Sequence, residues 1–150
     1  MADSIREQIL KQIVTTLEGV TVANGYDFDM KDVIRIPTVP QELLAFPTAQ
    51  VIDETEEVLD TPSHFSTRLL AGTIVVWSWD HRDISEAVNS ILANTDKALM
   101  VDRTRGGLAI STETPSNRVV MADSVAPFGG VIIEFRVQYR FFSGDPFTQV

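Results

Sequence analysis

The clearest pattern in the chain is a two-residue alternation near its end. Val131, Ile133, Phe135, Val137, Tyr139 and Phe141 fall on one side, and Glu134, Arg136, Gln138 and Arg140 fall on the other. Alternation of this kind predicts a strand with one face on a core and one face toward water. At ~3.3 Å per residue it reaches about 35–40 Å, longer than most strands. Between Arg68 and Trp79 a second strand is predicted with a different character. Leu69, Ala71, Val75, Trp77 and Trp79 share one side, and Leu70, Ile74 and Val76 share the other. Apolar residues on both sides predict that the second face is covered as well, by more of this chain or by another subunit.

Two segments carry helical rather than strand periodicity. Ser4 and Glu7 form a capping box ahead of Ile5, Ile9, Leu10, Ile13, Val14 and Leu17, which predicts a helix from Ser4 to Glu18 that stops at Gly19. Asp83 and Glu86 precede Ile84, Ala87, Val88, Ile91 and Leu92, which lie within an arc of roughly 140° on a helix. A helix over Ile84–Ala93 is expected, with a further turn at Lys97–Val101, and with Glu86, Asn89, Ser90 and Asn94 outside the apolar arc.

Shorter strands are expected at Val33–Ile36, ended by Pro37 and Pro40, and at Thr48–Ile52. Asp53, Glu54, Glu56, Glu57 and Asp60 then arrive almost together, followed by Pro62. Like charges at that density resist compaction, so residues 53–65 are expected to form a long mobile acidic loop. Strands at Leu108–Ser111 and Arg118–Ala122 are expected around a Pro115-Ser116-Asn117 turn. The last residues, SGDPFTQV, read as an exposed C-terminal tail with Phe147 as its hydrophobic anchor. The order of elements predicts one α+β domain over residues 1–150: an antiparallel or mixed sheet with two helices packed on one face.

Composition adds limits. A chain of 150 residues with 44% hydrophobic and 22% charged residues has the makeup of one folded domain. There is no cysteine, so neither a disulfide framework nor a thiolate chemistry is available. No apolar run approaches a membrane span, and the opening residues do not read as a signal or transit peptide. The formal net charge of -9 opposes binding to nucleic acid, whose phosphates require a basic surface.

Candidate chemistry is sparse. Asp27, Asp29 and Asp32 open like a calcium loop but lack its turn glycine and closing glutamate, so a solvated turn is expected and no metal. Asp80, His81 and Asp83 gather an imidazole and two carboxylates where a strand hands over to a helix, and this cluster carries the alternative reading of a small enzyme or ligand-binding module. No nucleophile motif accompanies it, so neither catalysis nor a cofactor is expected. Arg103, Arg105 and Gly106-Gly107 have the elements of an anion site, of a salt bridge to the acidic loop of a neighbouring copy, or of an ordinary exposed loop. Trp77 and Trp79 could stack on bases or sugars, but beside aliphatic residues they are expected in the core.

Four segments together resemble a known family. They are the opening helix SIREQILKQIVTTL, the segment FPTAQVIDETEEV leading into the acidic stretch, the helix EAVNSILANTDKAL followed by VDRTRGGLAI, and the closing strand EFRVQYRF ended by SGDP. This layout is similar to that of the tail terminator and tail-completion proteins of long-tailed bacteriophages, although the run VVWSWDHRD has no counterpart in the resemblance. The resemblance implies a structural virion protein of the tail and neck, assembled in the host cytoplasm. It implies a hexameric ring that caps the tail tube protein, joins it to a head-side connector or stopper, and lets DNA through without binding it. On that reading Asp53, Glu54, Glu56, Glu57 and Asp60 are contacts or channel-facing charge. Arg103 and Arg105 are partners between subunits, and Arg136, Arg140 and Phe147 are further contacts near the sheet surface and the tail.

Overall fold

A computed structural model describes residues 2–62, 64–79, 83–121 and 128–150. The chain is α+β, and its centre is the pairing of β3 (Phe65–Trp79) with β5 (Phe128–Phe142). These two 15-residue strands run antiparallel in unbroken register from Phe65↔Phe142 to Trp79↔Phe128. On their inner face Leu70, Ile74 and Val76 lie among Val131, Ile133, Phe135 and Val137, all fully or almost fully buried. Each Val, Ile or Phe so enclosed stabilises the fold by roughly 1.5–3 kcal/mol relative to exposure.

The rest of the sheet grows from this pair. On one side, β2 (Thr48–Asp60) pairs antiparallel with β3, and β1 (Asp32–Ile34) pairs parallel with the first residues of β2. On the other side, β4 (Ser111–Met121) runs antiparallel to β5 as far as Gln138, and β6 (Asp145–Gln149) folds back on the end of β5 that β4 does not reach. The mixed sheet therefore has the order β1-β2-β3-β5-β4.

Both helices lie against this sheet and touch each other. α1 (Ile5–Glu18) turns Ile5, Ile9, Leu10, Ile13 and Leu17 inward and packs near β1, β2 and β6. Ser4 caps it by accepting a hydrogen bond from the Glu7 amide, but the Glu7 carboxylate holds Arg35. α2 (Ile84–Val101) packs over β5, β4 and β3 and is one continuous helix rather than a short helix and a separate turn. Asp83 caps it by accepting from the Glu86 amide. Asn94, expected outside the apolar arc, is buried: its amide donates to Asp27 Oδ2 at 3.0 Å and to the Ser90 carbonyl at 2.7 Å, tying the loop after α1 onto α2.

Three expectations are corrected. The acidic segment is not a mobile loop, because Asp53–Asp60 continue β2 with irregularities after Asp53 and after Val58. The Pro115-Ser116-Asn117 turn is instead a register shift within a single strand, β4, which begins at Ser111 rather than Leu108. Thr112 and Thr114 hold that strand to the Arg103 carbonyl and to Asp96, so the proline bulges the strand without ending it. The C-terminal residues form β6 rather than a free tail, and Phe147 is 54% exposed rather than a buried anchor.

Gly72 makes one packing detail decisive. A Cβ there would stand 2.3 Å from the Ile52 carbonyl oxygen and 2.7 Å from the Phe135 ring, at the row where β2 shifts register. A Gly72→Ala substitution is expected to lower stability by about 1–3 kcal/mol or more through forced displacement of that ring. Denaturant unfolding of the two proteins checks this, and an unchanged midpoint would contradict the packing described.

Candidate interaction surface

The two faces of the sheet handle charge in opposite ways. At the open end of the inner face, beyond the apolar core, Asp53 and Glu56 project from β2 toward α1 and three arginines. Arg6 reaches Asp53 Oδ2 at 2.6 Å and Glu56 at 3.7 Å, Arg35 reaches Glu7 and Asp53, and Arg68 reaches Glu56 at 3.3 Å. The Tyr139 hydroxyl donates to Glu56, and the Arg68 guanidinium lies 4.9 Å over the Phe141 ring. Burial, reinforced by the bond to Glu56, raises the Tyr139 hydroxyl pKa well above its ordinary range, so it stays a donor. The hydrogen bond from Arg6 holds the Asp53 carboxyl below its ordinary range. These pairs fasten the helix layer to the sheet. Asp53 and Glu56 are therefore committed within their own chain.

Arg105 is also committed. It is fully buried, and its guanidinium donates to the carbonyls of Leu99 and Asp102 at the end of α2. Burial lowers its pKa, and neighbouring Asp102 opposes that shift. The expected role of Arg105 as a partner between subunits is thus overturned by its burial, while Arg103 is exposed. The anion site is overturned too. The Gly106 amide donates to the Asp102 carboxylate at 2.7 Å and the Gly107 amide to the Thr104 hydroxyl at 3.2 Å, so the loop uses its own donors.

Among the described residues no α-helix or second sheet packs on the outer face, and that face divides along its length. One end is apolar. Val75, Trp77 and Ile132 line a groove of about 330 Å³ with Val39 and Pro40 from the loop after β1. Beside it Phe46, Trp79 and Phe128 cluster with ring centroids 5.4–6.5 Å apart. Gly130 lies beneath the Trp77 ring, where a Cβ would come within 2.7 Å of it. The expectation that both tryptophans lie in the core is corrected: Trp77 is half-buried on the outer face and Trp79 is 47% exposed, neither in the helix-covered core. Ile36 and Val39, at 73% and 54% exposed, extend the apolar area. The other end is charged. The register places Glu57 in the row of Leu69 and Gln138, Asp60 in the row of Thr67 and Arg140, and Arg136 beside Glu113.

The remaining sequence candidates separate. Asp27 pairs with Asn94, Asp29 accepts from the Val22 amide, and Asp32 accepts from the Val33 amide, so the three aspartates serve three different bonds. No group of three or more metal-ligating side chains occurs among the described residues. Asp80 and His81 lie outside the described residues, and Asp83 serves as the α2 cap. No described helix is long and apolar enough to cross a membrane. Arg6, Arg35, Arg68 and Tyr139 were missed by sequence reasoning. Their only signal is the alternation that puts Arg68 and Tyr139 on the inner face with the acids of β2.

No family model matches the chain, and no curated protein matches its sequence.

Two outcomes are expected from these contacts. Arg105→Ala removes the guanidinium bonds to the Leu99 and Asp102 carbonyls and should lower stability by about 1–3 kcal/mol, whereas Arg103→Ala should change it little. Equal unfolding midpoints for the two variants would contradict the capping role. Because the Asp53 pKa is depressed in the folded state, its stabilising effect is present above the unfolded value of about 3.9 and is lost as pH falls through the lower folded value. Asp53→Asn should therefore flatten the acid side of the stability–pH curve relative to the native chain.

Proposed function

We propose that the protein is a structural assembly subunit of a long-tailed bacteriophage. It would form a ring that caps the tail tube and joins it to the head-side connector, and DNA would pass through that ring. The observation that carries this reading is the outer face of the sheet. A strand pair about 50 Å long, at ~3.3 Å per residue, bears an apolar groove and an aromatic cluster at one end, covered among the described residues only in part, by the loop after β1. An apolar surface of this kind is stabilised by burial against another protein.

A ring of copies meets that need because a heterologous contact repeats around a closed circle without growing further. The acidic balance of the chain fits a channel for DNA, since like charge repels the passing phosphates. The exposed β6, with Phe147 outward, gives a second apolar contact at the far end of β5. No catalytic step is part of this function.

Light scattering of the purified chain, alone and with its candidate tube protein, tests the reading. A hexamer is expected in at least one of the two conditions, and a stable monomer in both would overturn the proposal. Val39→Glu puts a charge at the rim of the groove on an exposed loop. It should weaken assembly while leaving the unfolding midpoint within about 0.5 kcal/mol of the native value.

A further inference from the structure

The charged end of the outer face contrasts with the inner network built on the same strands. Inward, every carboxylate of β2 meets an arginine: Asp53 meets Arg6 and Arg35, and Glu56 meets Arg6 and Arg68. Outward, none of the ion pairs among the described residues includes Glu54, Glu57, Asp60, Arg118, Arg136 or Arg140. Among the described residues Glu54 accepts from the Thr73 hydroxyl, and Arg140 donates to Thr67 and lies 4.7 Å over the Phe65 ring.

The unpaired β2 acids and the arginines stand on different strands. Glu54, Glu57 and Asp60 stand on β2 and the three arginines on β5 and β4, with β3 between, and the arginine strip also holds Glu113 and Glu134. Glu57 and Asp60 are two strands from the β5 arginines, about 10 Å across the sheet at ~4.8 Å per strand, and no ion pair among the described residues joins them. The outer surface is thus acidic along one margin and arginine-bearing along the other. Beyond Gln50, the acidic margin is also an open strand edge, because β1 pairs only with Thr48, Ala49 and Gln50.

Resting on the reading of the chain as a self-assembling subunit, we propose that copies pack side by side, with the acidic margin of one copy (Glu54, Glu57, Asp60) seated against the arginine strip (Arg118, Arg136, Arg140) of the next. Two different margins on one molecule define a heterologous contact, the kind that repeats from copy to copy. The charges set the register and partner of that contact, and burial at the apolar end supplies the attraction.

The test is charge reversal read by light scattering, with far-ultraviolet circular dichroism to confirm folding. Glu57→Arg with Asp60→Arg makes both margins basic, and Arg136→Glu with Arg140→Glu makes both acidic. Each variant alone should need roughly tenfold or more protein to assemble than the native chain. An equimolar mixture of the two should assemble again, because basic and acidic copies can alternate. A single chain carrying all four changes should do the same.

A native chain that assembles while both reversed variants assemble equally well would overturn this contact and leave the ring reading standing. Failure of the mixture and of the fourfold variant to recover would also overturn it. If reversal spares self-assembly and abolishes only binding to the tube protein, the strip belongs to that partner and the proposal falls. A native chain that stays monomeric in every condition overturns both readings.

Discussion

The antiparallel contact between β3 and β5 is the constraint on which the rest of the molecule depends. Fifteen residues of each strand match without a bulge, and each strand also has a second neighbour for most of its length, β2 for the one and β4 with β6 for the other. Every backbone donor and acceptor along the centre can therefore be satisfied in the sheet, which a buried strand requires. Irregularity is displaced outward, to the register shifts in β2 and β4. The inner side chains of the central pair then fix where the helices sit. α2 covers the end holding Val131 and Val76, and α1 covers the β2 side of the same face.

Local signals in the sequence were sufficient where the structure is local. Ser4 and Asp83 cap the two helices because capping involves only the next few residues, and the alternation from Val131 to Phe141 appears as burial and exposure in the same order. Both helices and the central strands were legible for that reason. The acidic segment was not. Five carboxylates in eight residues look like a solvated loop, yet Asp53 and Glu56 are paired by Arg6, Arg35 and Arg68 from other parts of the chain, and no window of sequence contains that pairing.

Arg105 shows the same limit from the opposite direction. An arginine after a helix reads as a surface group, yet a residue with positive φ at that point turns its side chain back under the helix end. Likewise Pro115 reads as a turn because a proline interrupts ladder bonding, and it is tolerated because β4 is an edge strand. The apolar second face of β3 was legible as a need for cover, and the structure shows that need only partly met within the chain, by the loop after β1.

The wide separation in sequence of β3 and β5 bears on how the chain is made. Phe65 can find its partner only when Phe142 has emerged, so in that interval β2 is the only sheet neighbour available to the doubly apolar β3. Contacts this distant form slowly, and an unpaired apolar strand edge is a template for pairing with the wrong chain. The carboxylates along β2 lie beside that vulnerable strand throughout the interval. Their repulsion between nascent copies would keep incomplete hairpins apart until the finished sheet presents its arginines.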